Sequence, residues 1–234
     1  MLACNEFAVV TGASGGIGRA IAAALAARGM RVVLTGRNVS RLQEASRDAG
    51  PNTTTLVADL TTEAGRSAVA KLTRPELHVL IHCAGDYARC DVSALSIDQW
   101  RALDAINLHA PILLTAACMP QLQAASGQVV FINSSAALSA SAGLSAYGAG
   151  KRGLQAATDA LRQEVNRDGI RVLSVYPGRT DTPMQRAVLA AEQRVAPPDT
   201  MIRAEDVAAM VVAALDVPRT AEVTDIMMRP MRKM

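Results

Sequence analysis

The chain has 234 residues, half of them apolar, with a formal net charge of +3 and only 3% aromatic residues. This length suits one large α/β domain or two small ones, and the apolar half allows a sizeable buried core. The mild charge is scattered along the chain and aromatic side chains that could stack on bases are scarce, so both features argue against nucleic-acid binding.

The N-terminus and the cysteines indicate a cytoplasmic protein. The segment MLACNEFAVVTGAS has neither the basic region nor the long apolar stretch of a signal peptide. No apolar run approaches the roughly 20 residues of a membrane span, so we expect no membrane association. Cys4, Cys83, Cys90 and Cys118 form no C-x-x-C pattern. We therefore expect reduced cysteines, without a disulfide bond or a metal site.

Short apolar runs alternate with segments of helical periodicity along the whole chain. The apolar runs, which predict strands, span residues 7–12, 31–36, 53–60, 78–85, 127–134, 170–178 and 223–230. The periodic segments, which predict helices, cover residues 17–28, 40–48, 97–119, 147–165 and 204–215. Pro111 predicts a bend in the longest of these helices.

This alternation predicts the fold class. The strands are apolar at almost every position, as expected for a parallel sheet that is covered by helices on both faces. We expect a single domain over residues 1–234, a doubly wound parallel sheet of Rossmann type in three α/β/α layers. Ligands of such sheets bind beyond the carboxyl ends of the strands.

A glycine-rich segment, VVTGASGGIGRA, joins the first strand to the first helix. Glycines let the backbone approach phosphate groups closely, and the free N–H groups of the helix end bind the anion. The segment therefore predicts a pyrophosphate site, with a tight structural turn as the alternative. The residues assigned to this site are Gly12, Ser14, Gly15, Gly16, Ile17 and Gly18.

A tyrosine and a lysine stand four residues apart in AYGAGKRG. On a helix this spacing places Tyr147 and Lys151 on one face. A free tyrosine, with a pKa of about 10, is a poor acid–base catalyst at neutral pH, and a nearby ammonium lowers that pKa. Taken alone, however, such a pair arises often by chance as a surface tyrosine beside a solvated lysine.

Taken together, the motifs resemble those of the short-chain dehydrogenase/reductase family. Residues Thr11 to Gly18 match the family's T-G-x-x-x-G-x-G motif in full, and the resemblance extends from about Val9 to at least Thr182. The further landmarks, in order, are Asp59-Leu60 at the end of the third strand, HCAG at 82–85 in place of N-N-A-G, Asn107, Ser134, Tyr147 with Lys151, and PGRTDT at 177–182.

The resemblance implies a catalytic site of Ser134, Tyr147, Lys151 and Asn107. Tyr147 would exchange a proton with the substrate oxygen that Ser134 holds, while Lys151 would also bond the nicotinamide ribose. Asn107 would hold a helix bend and a water that links Lys151 to solvent; a polar residue that satisfies its own helix turn is the alternative. The family's usual spacings select Ser134, and Ser135 remains as an alternative or as a cap of the next loop.

The resemblance also implies further cofactor contacts, and Arg37 indicates NADP(H). NAD-preferring members commonly carry an aspartate at the position of Gly36, whereas an arginine accommodates the 2′-phosphate of NADP. A solvated Arg37 is the alternative, and Gly15 replaces a basic residue of many NADP-preferring members. The contacts outside the glycine loop are Arg37, Asp59, Leu60, Ala84, Gly85, Tyr147, Lys151, Pro177, Gly178, Thr180 and Thr182.

The sequence thus predicts an NADP(H)-dependent oxidoreductase that transfers hydride between nicotinamide and a small carbonyl or alcohol substrate. By resemblance we expect a homodimer or homotetramer. The alternatives are a catalytically idle NADP(H)-binding sensor or scaffold and, with little room for its usual C-terminal substrate domain, a sugar-nucleotide epimerase.

The substrate itself is not indicated by the sequence. The loops that would select it span residues 86–96, 136–146 and 179–204, contain no obvious carboxylate clamp, and suggest an open pocket before the last helix. We expect His82 to supply a structural hydrogen bond in place of an asparagine, and Cys83 to lie in the core.

Overall fold

The computed structural model describes residue 2 and residues 4–73, 75–197 and 199–232. Within these residues, seven strands form a central sheet and two short strands form a separate pair. In chain order the strands are β1 (Phe7–Thr11), β2 (Arg31–Gly36), β3 (Thr53–Val57), β4 (Val79–His82), β5 (Gln128–Ile132), β6 (Arg171–Pro177), β7 (Thr180–Asp181), β8 (Ile202–Arg203) and β9 (Asp225–Met228). The sheet order is β3-β2-β1-β4-β5-β6-β9, and every neighbouring pair is parallel.

Helices cover both faces of this sheet. In the described part of the chain they are α1 (Gly16–Ala27), α2 (Val39–Ala49), α3 (Glu63–Leu72), α4 (Ile97–Asp104), α5 (Ala110–Ala117), α6 (Met119–Ala125), α7 (Ser145–Val165), α8 (Pro183–Ala191) and α9 (Ala204–Leu215). Helices α1, α2 and α9 pack on one face, and α3, α5, α6 and α7 pack on the other.

The two hydrophobic cores explain why the central strands are mostly apolar. Successive side chains of a strand point to opposite faces of the sheet. In β1, Ala8 and Val10 belong to the core beneath α1 and α9, whereas Val9 belongs to the core beneath α5 and α7. The predicted doubly wound, three-layer α/β/α fold is confirmed.

The third strand is shorter than predicted. The sequence analysis places its end at Asp59 and Leu60, but β3 ends at Val57. Asp59 Oδ1 accepts hydrogen bonds from the backbone nitrogen of Thr61 at 3.0 Å and from its hydroxyl at 2.7 Å. Such local bonds compete with strand pairing, so the chain turns here.

The helix predicted over residues 97–119 is interrupted twice. After α4 the chain forms a π turn over Ala105–His109, directly before Pro111. Proline has no N–H to bond the carbonyl of Asn107, and a π turn accommodates that missing bond. The larger bend, of 59°, separates α5 from the unpredicted α6. Among the described helices none alone is long and apolar enough to cross a membrane, although Ile97–Ala117 joined to Met119–Ala125 across this bend reaches that length and composition.

The sequence analysis also does not predict α3 or α8. Both begin at a threonine cap: Thr62 accepts from the backbone nitrogen of Gly65, and Thr182 accepts from that of Gln185, each at 3.1 Å. Such a bond satisfies an N–H group that the first helix turn leaves unpaired. Helix α8 lies in the segment expected to leave the pocket open, and instead forms a wall of the cleft described below.

Candidate active site

A cleft of about 1440 Å³ runs along the carboxyl ends of the central strands. It opens where the strand order reverses, between β1 and β4, which is where doubly wound sheets bind ligands. The predicted site residues that line it are Gly12, Ser14, Gly15, Gly16, Ile17, Arg37, Asp59, Leu60, Ala84, Gly85, Asn107, Ser134, Tyr147, Lys151, Pro177, Gly178, Thr180 and Thr182.

Gly18 differs from the other predicted residues because it is buried beneath the glycine loop rather than in the cleft wall. A Cβ atom on Gly18 would lie 2.5 Å from the carbonyl oxygen of Gly12. Gly18 therefore allows α1 to pack against the loop, and its contact with the cofactor stays a prediction.

The N-terminus of α1 fits a bound pyrophosphate. Its N-cap residue, Gly15, has no side chain that could cap the helix, and the first turn carries no acidic residue. A Cβ atom on Gly15 would meet nothing closer than Pro183 Cγ at 3.9 Å, so the backbone faces open space. Free N–H groups at the positive end of a helix bind anions, and this end lies in the cleft wall.

Lys151 lies on α7 in a nearly water-free site and is 5% exposed. Its Nζ donates to the carbonyl oxygen of Ile132 at 3.3 Å and lies 5.9 Å from the centroid of the Tyr147 ring. Burial lowers the pKa of Lys151 to about 8, because an ammonium loses its hydration there.

Tyr147 lies partly exposed to the cleft, with the Ser134 hydroxyl within hydrogen-bonding reach of its phenol. Burial raises the pKa of Tyr147, and the hydrogen bond with Ser134 opposes that rise. The lowering of the pKa expected from the sequence is therefore not found in the protein alone. The main reason is that the phenol loses hydration on burial.

The structure distinguishes Ser134 from Ser135. Ser134 is the residue near Tyr147, and its hydroxyl also accepts from the backbone nitrogen of Ala136 at 3.1 Å. Ser134, not Ser135, thus caps the following short helix, and Ser135 is exposed. Asn133, which the sequence analysis misses, holds this segment to α7 through a 3.2 Å bond from its side-chain nitrogen to the carbonyl of Lys151.

Asn107 ties the π turn to the loop after β4. Its Nδ2 donates to the carbonyl of Asp86 at 2.9 Å, and its Oδ1 accepts from the nitrogen of Asp86 at 3.3 Å. Its side chain thus bonds another loop rather than its own helix turn. A Cβ atom on Gly85 would lie 2.8 Å from Asn107 Oδ1 and 3.8 Å from Lys151 Nζ, so only glycine fits between these groups.

Two arginines line the opposite end of the cleft. Arg37 follows β2, and Arg41, which the sequence analysis misses, lies in the first turn of α2. The spacing of four residues, at the start of a predicted helix, is the signal that could have identified Arg41. Hydrogen bonds from Thr61 and, to a smaller extent, the positive charge of Arg37 lower the pKa of Asp59.

His82 and Cys83 occupy different environments. His82 is buried, 2.8 Å from the Thr115 hydroxyl and stacked on Phe131, and burial lowers its pKa to about 3. It has the structural surroundings expected for it. Cys83 is packed against the hydrophobic core, as expected, and also borders the cleft; burial of its thiol raises the pKa to about 12.

The cleft beyond Tyr147 contains residues to which the sequence analysis assigns no role. They include Tyr87, whose ring meets Tyr147 edge-on with centroids 5.1 Å apart, and Arg89, which is ion-paired with Glu192. The position of Tyr87 just after the fourth strand, at the edge of the sheet where ligands bind, is the sequence feature that could have identified it as a site residue. The described residues contain no group of three or more His, Cys, Asp or Glu that could hold a metal ion.

Comparison with known proteins decides the family. The family model for short chain dehydrogenases matches residues 6–193. The chain belongs to the short-chain dehydrogenase family. The protein is thus an oxidoreductase of that family, as the motifs from the glycine loop to PGRTDT predict.

Relatives of this short-chain dehydrogenase support the assignment over its full length. An uncharacterized oxidoreductase of Staphylococcus epidermidis is 29% identical over 230 residues, which cover 97% of each chain. A metagenomic short-chain oxidoreductase, solved in complex with NADP, is 29% identical with a TM-score of 0.84 and covers 98% of this chain and 99% of that one. An alcohol dehydrogenase of Thermococcus sibiricus, complexed with 5-hydroxy-NADP, shares the fold at 23% identity, with a TM-score of 0.88 and 98% of each chain covered.

Proposed function

We propose that this short-chain dehydrogenase uses NADP(H) to interconvert a small carbonyl compound and its alcohol, with Tyr147 as proton donor and acceptor. One observation carries the proposal. The phenol of Tyr147, the hydroxyl of Ser134 and the buried ammonium of Lys151 meet in one cleft, whose other end is the anion-binding loop at α1.

Several features support NADP(H) as the cofactor. The open N-terminus of α1 suits the pyrophosphate, and Arg37 and Arg41 line the end of the cleft beside β2, where a 2′-phosphate would lie. No acidic side chain stands at Gly36 to repel that phosphate. The metagenomic relative that is 29% identical was solved with NADP.

Each catalytic side chain has a distinct role in the reduction. When bound, NADP(H) supplies the hydride. Ser134 donates a hydrogen bond to the carbonyl oxygen and Tyr147 gives its hydroxyl proton to the same oxygen. The Lys151 ammonium stabilises the phenolate left behind, and its pKa of about 8 suits proton exchange near neutral pH. Asn107 holds the π turn and loop against Lys151.

The test is NADPH oxidation against a panel of ketones, aldehydes and quinones, with the wild type and Tyr147→Phe. We expect the variant to lose about 100-fold or more in kcat, the contribution typical of a general acid, while the Kd for NADPH changes by less than about twofold. Turnover that survives in Tyr147→Phe would exclude the phenol as the proton donor. Tight NADPH binding without turnover across the panel would favour the sensor or scaffold alternative.

The assembly state is a separate prediction. We propose a homodimer or homotetramer, as the resemblance to the family implies. Light scattering of the purified protein measures the mass of the assembly directly, and a monomer over the working concentration range would contradict the proposal.

A further inference from the structure

A cluster of three charged side chains bounds the cleft beyond Tyr147. Arg89 comes from the loop after β4, and Glu192 and Arg194 come from the end of α8 and just beyond it. Arg89 Nη1 donates to Glu192 Oε1 at 2.9 Å, and Arg194 Nη1 lies 3.8 Å from Glu192 Oε2. We call Arg89, Glu192 and Arg194 the arginine cluster.

The arginine cluster presents positive charge to the cleft. Two guanidinium groups, which stay protonated at any working pH, flank one carboxylate and leave a net charge of +1. The Glu192 side chain is 15% exposed, whereas those of Arg89 and Arg194 are each 46% exposed. The carboxylate is therefore covered, and the guanidinium groups are the accessible part of the cluster.

Nearby acidic groups do not cancel this charge. Asp181 is held by Arg186 through two bonds of 2.7 and 2.9 Å. Asp86 accepts from the backbone nitrogen of Tyr87 at 2.8 Å. Both residues line the cleft. Arg186 neutralises Asp181, whereas a bond from a backbone nitrogen leaves Asp86 charged; the guanidinium of Arg179, which also lines the cleft, offsets that charge.

Arg89 is held in a fixed position near the reacting phenol. Its guanidinium lies near enough to Tyr87 to oppose the rise in that phenol's pKa caused by burial, and the Tyr87 ring meets that of Tyr147 at 5.1 Å between centroids. Its stem lies against Gly143, where a Cβ atom would be 2.9 Å from Arg89 Cγ. Arg89 and Tyr147 thus line the same cleft, and Tyr87 contacts the ring of Tyr147 there.

We propose that the arginine cluster selects carbonyl substrates that carry a carboxylate a few bonds from the carbonyl, that is, short oxo acids. Arg89 binds the carboxylate, because the planar guanidinium matches the two oxygens of a carboxylate and only one of its five donors is bonded to Glu192. Glu192 is a positioning residue that orients Arg89. This inference rests on the proposed function.

The test compares 4-oxopentanoate and 5-oxohexanoate with their methyl esters, which keep the carbonyl and lose the charge. With NADPH and the wild type we expect kcat/KM to favour each acid by about tenfold or more, the size of one charge-assisted hydrogen bond. In Arg89→Gln the ratio of kcat/KM for acid to that for ester should fall to about unity. Arg101→Gln, which removes an exposed arginine on α4, is the matched control and should keep the wild-type preference.

Glu192→Gln tests the positioning role separately. Glutamine still offers an oxygen to Arg89, and the net charge of the cluster rises from +1 to +2. We expect KM for the acids to fall relative to KM for the esters. A purely structural role would instead change both substrates alike, and that result would overturn the assignment of Glu192.

The outcomes separate this inference from the proposed function. Equal use of acid and ester, or a preference for an amino ketone over both, would overturn the inference and leave the proposed function intact. If no probe is reduced, the proposed function fails for this class. Calorimetry then measures the binding of acids and esters to the NADPH complex, without turnover. Tighter binding of the acids than of the esters, lost in Arg89→Gln, supports the inference. Equal binding of acids and esters overturns it.

Discussion

The ammonium nitrogen of Lys151 lies 5.9 Å from the centroid of the Tyr147 ring and donates to the Ile132 carbonyl at 3.3 Å. Burial acts on the two residues in opposite directions: it lowers the pKa of Lys151 to about 8 and raises the pKa of Tyr147. At neutral pH the phenol therefore keeps its proton and the amine is charged. This is the protonation state that a proton donor to a carbonyl requires.

Lys151→Met should slow the reduction strongly. The ammonium nitrogen lies 5.9 Å from the centroid of the phenol ring, and its electrostatic support for the phenolate would be lost. We expect kcat to fall about 100-fold, measured as NADPH oxidation between about pH 6 and 9. Arg152→Met, an exposed neighbour on α7, is the control. Wild-type kcat in a folded Lys151→Met protein would contradict the assigned role.

Arg37→Gln should weaken NADPH and spare NADH. A guanidinium beside the 2′-phosphate interacts with NADPH alone, so its loss should raise the Kd for NADPH about tenfold and that for NADH less than about twofold. Fluorescence titration of the purified protein measures both constants, and Arg47→Gln, on α2 and outside the cleft wall, is the control. An equal effect on both cofactors would show that Arg37 does not read the phosphate.

Two glycines of the loop should respond in opposite ways to a side chain. Gly15→Arg should fold normally, because its backbone is extended and the nearest atom to a Cβ would be 3.9 Å away. The added cation should tighten the binding of NADPH severalfold relative to NADH.

Gly18→Ala places a Cβ 2.5 Å from a backbone oxygen, so we expect a loss of about 2 kcal/mol in the free energy of unfolding. Urea titration and cofactor binding measure the two effects; a fully stable Gly18→Ala protein would contradict the packing argument.

Much of the fold could be predicted because its signals are local. Strands buried on both faces must be apolar at every position, so β1 and β6 are evident as runs in the sequence. Helices α3 and α8 were missed because their starts depend on single threonine caps, Thr62 and Thr182, rather than on apolar periodicity. The predicted end of β3 is wrong because hydrogen bonds of the Asp59 side chain, rather than the apolar pattern of the segment, decide where the strand ends.

The candidate site also contains some features that can be predicted from the sequence and others that cannot. Tyr147 and Lys151 lie one helical turn apart, and the glycine loop is one continuous segment, so both could be predicted from spacing. The pairing of Arg89 with Glu192 joins residues 103 positions apart and exists only because α8 forms. No local pattern contains that information. The identity of the substrate depends on such pairings, which is why the loops alone did not indicate it.

Stability should depend on pH through His82. Its pKa in the folded protein is about 3, below the ordinary value of 6.5. Between these two pH values the unfolded chain binds a proton at His82 that the folded protein does not bind. Stability from this residue is therefore fully present above about pH 6.5 and decreases as the pH falls toward 3. Between about pH 7 and pH 5 the free energy of unfolding should fall by about 2 kcal/mol more in the wild type than in His82→Asn.

Urea denaturation of both proteins at the two pH values measures this difference. Because the wild type and His82→Asn contain the same carboxylates, the contributions of these groups to the pH dependence cancel. The variant also loses the bond to Thr115 and the stacking on Phe131, so it should be less stable at both pH values. That loss is constant and does not affect the comparison of slopes. His109→Asn removes an exposed histidine and keeps His82, so it should retain the wild-type pH dependence. Identical slopes for wild type and His82→Asn would mean that the folded protein protonates this imidazole without cost, which its burial at the end of β4 contradicts.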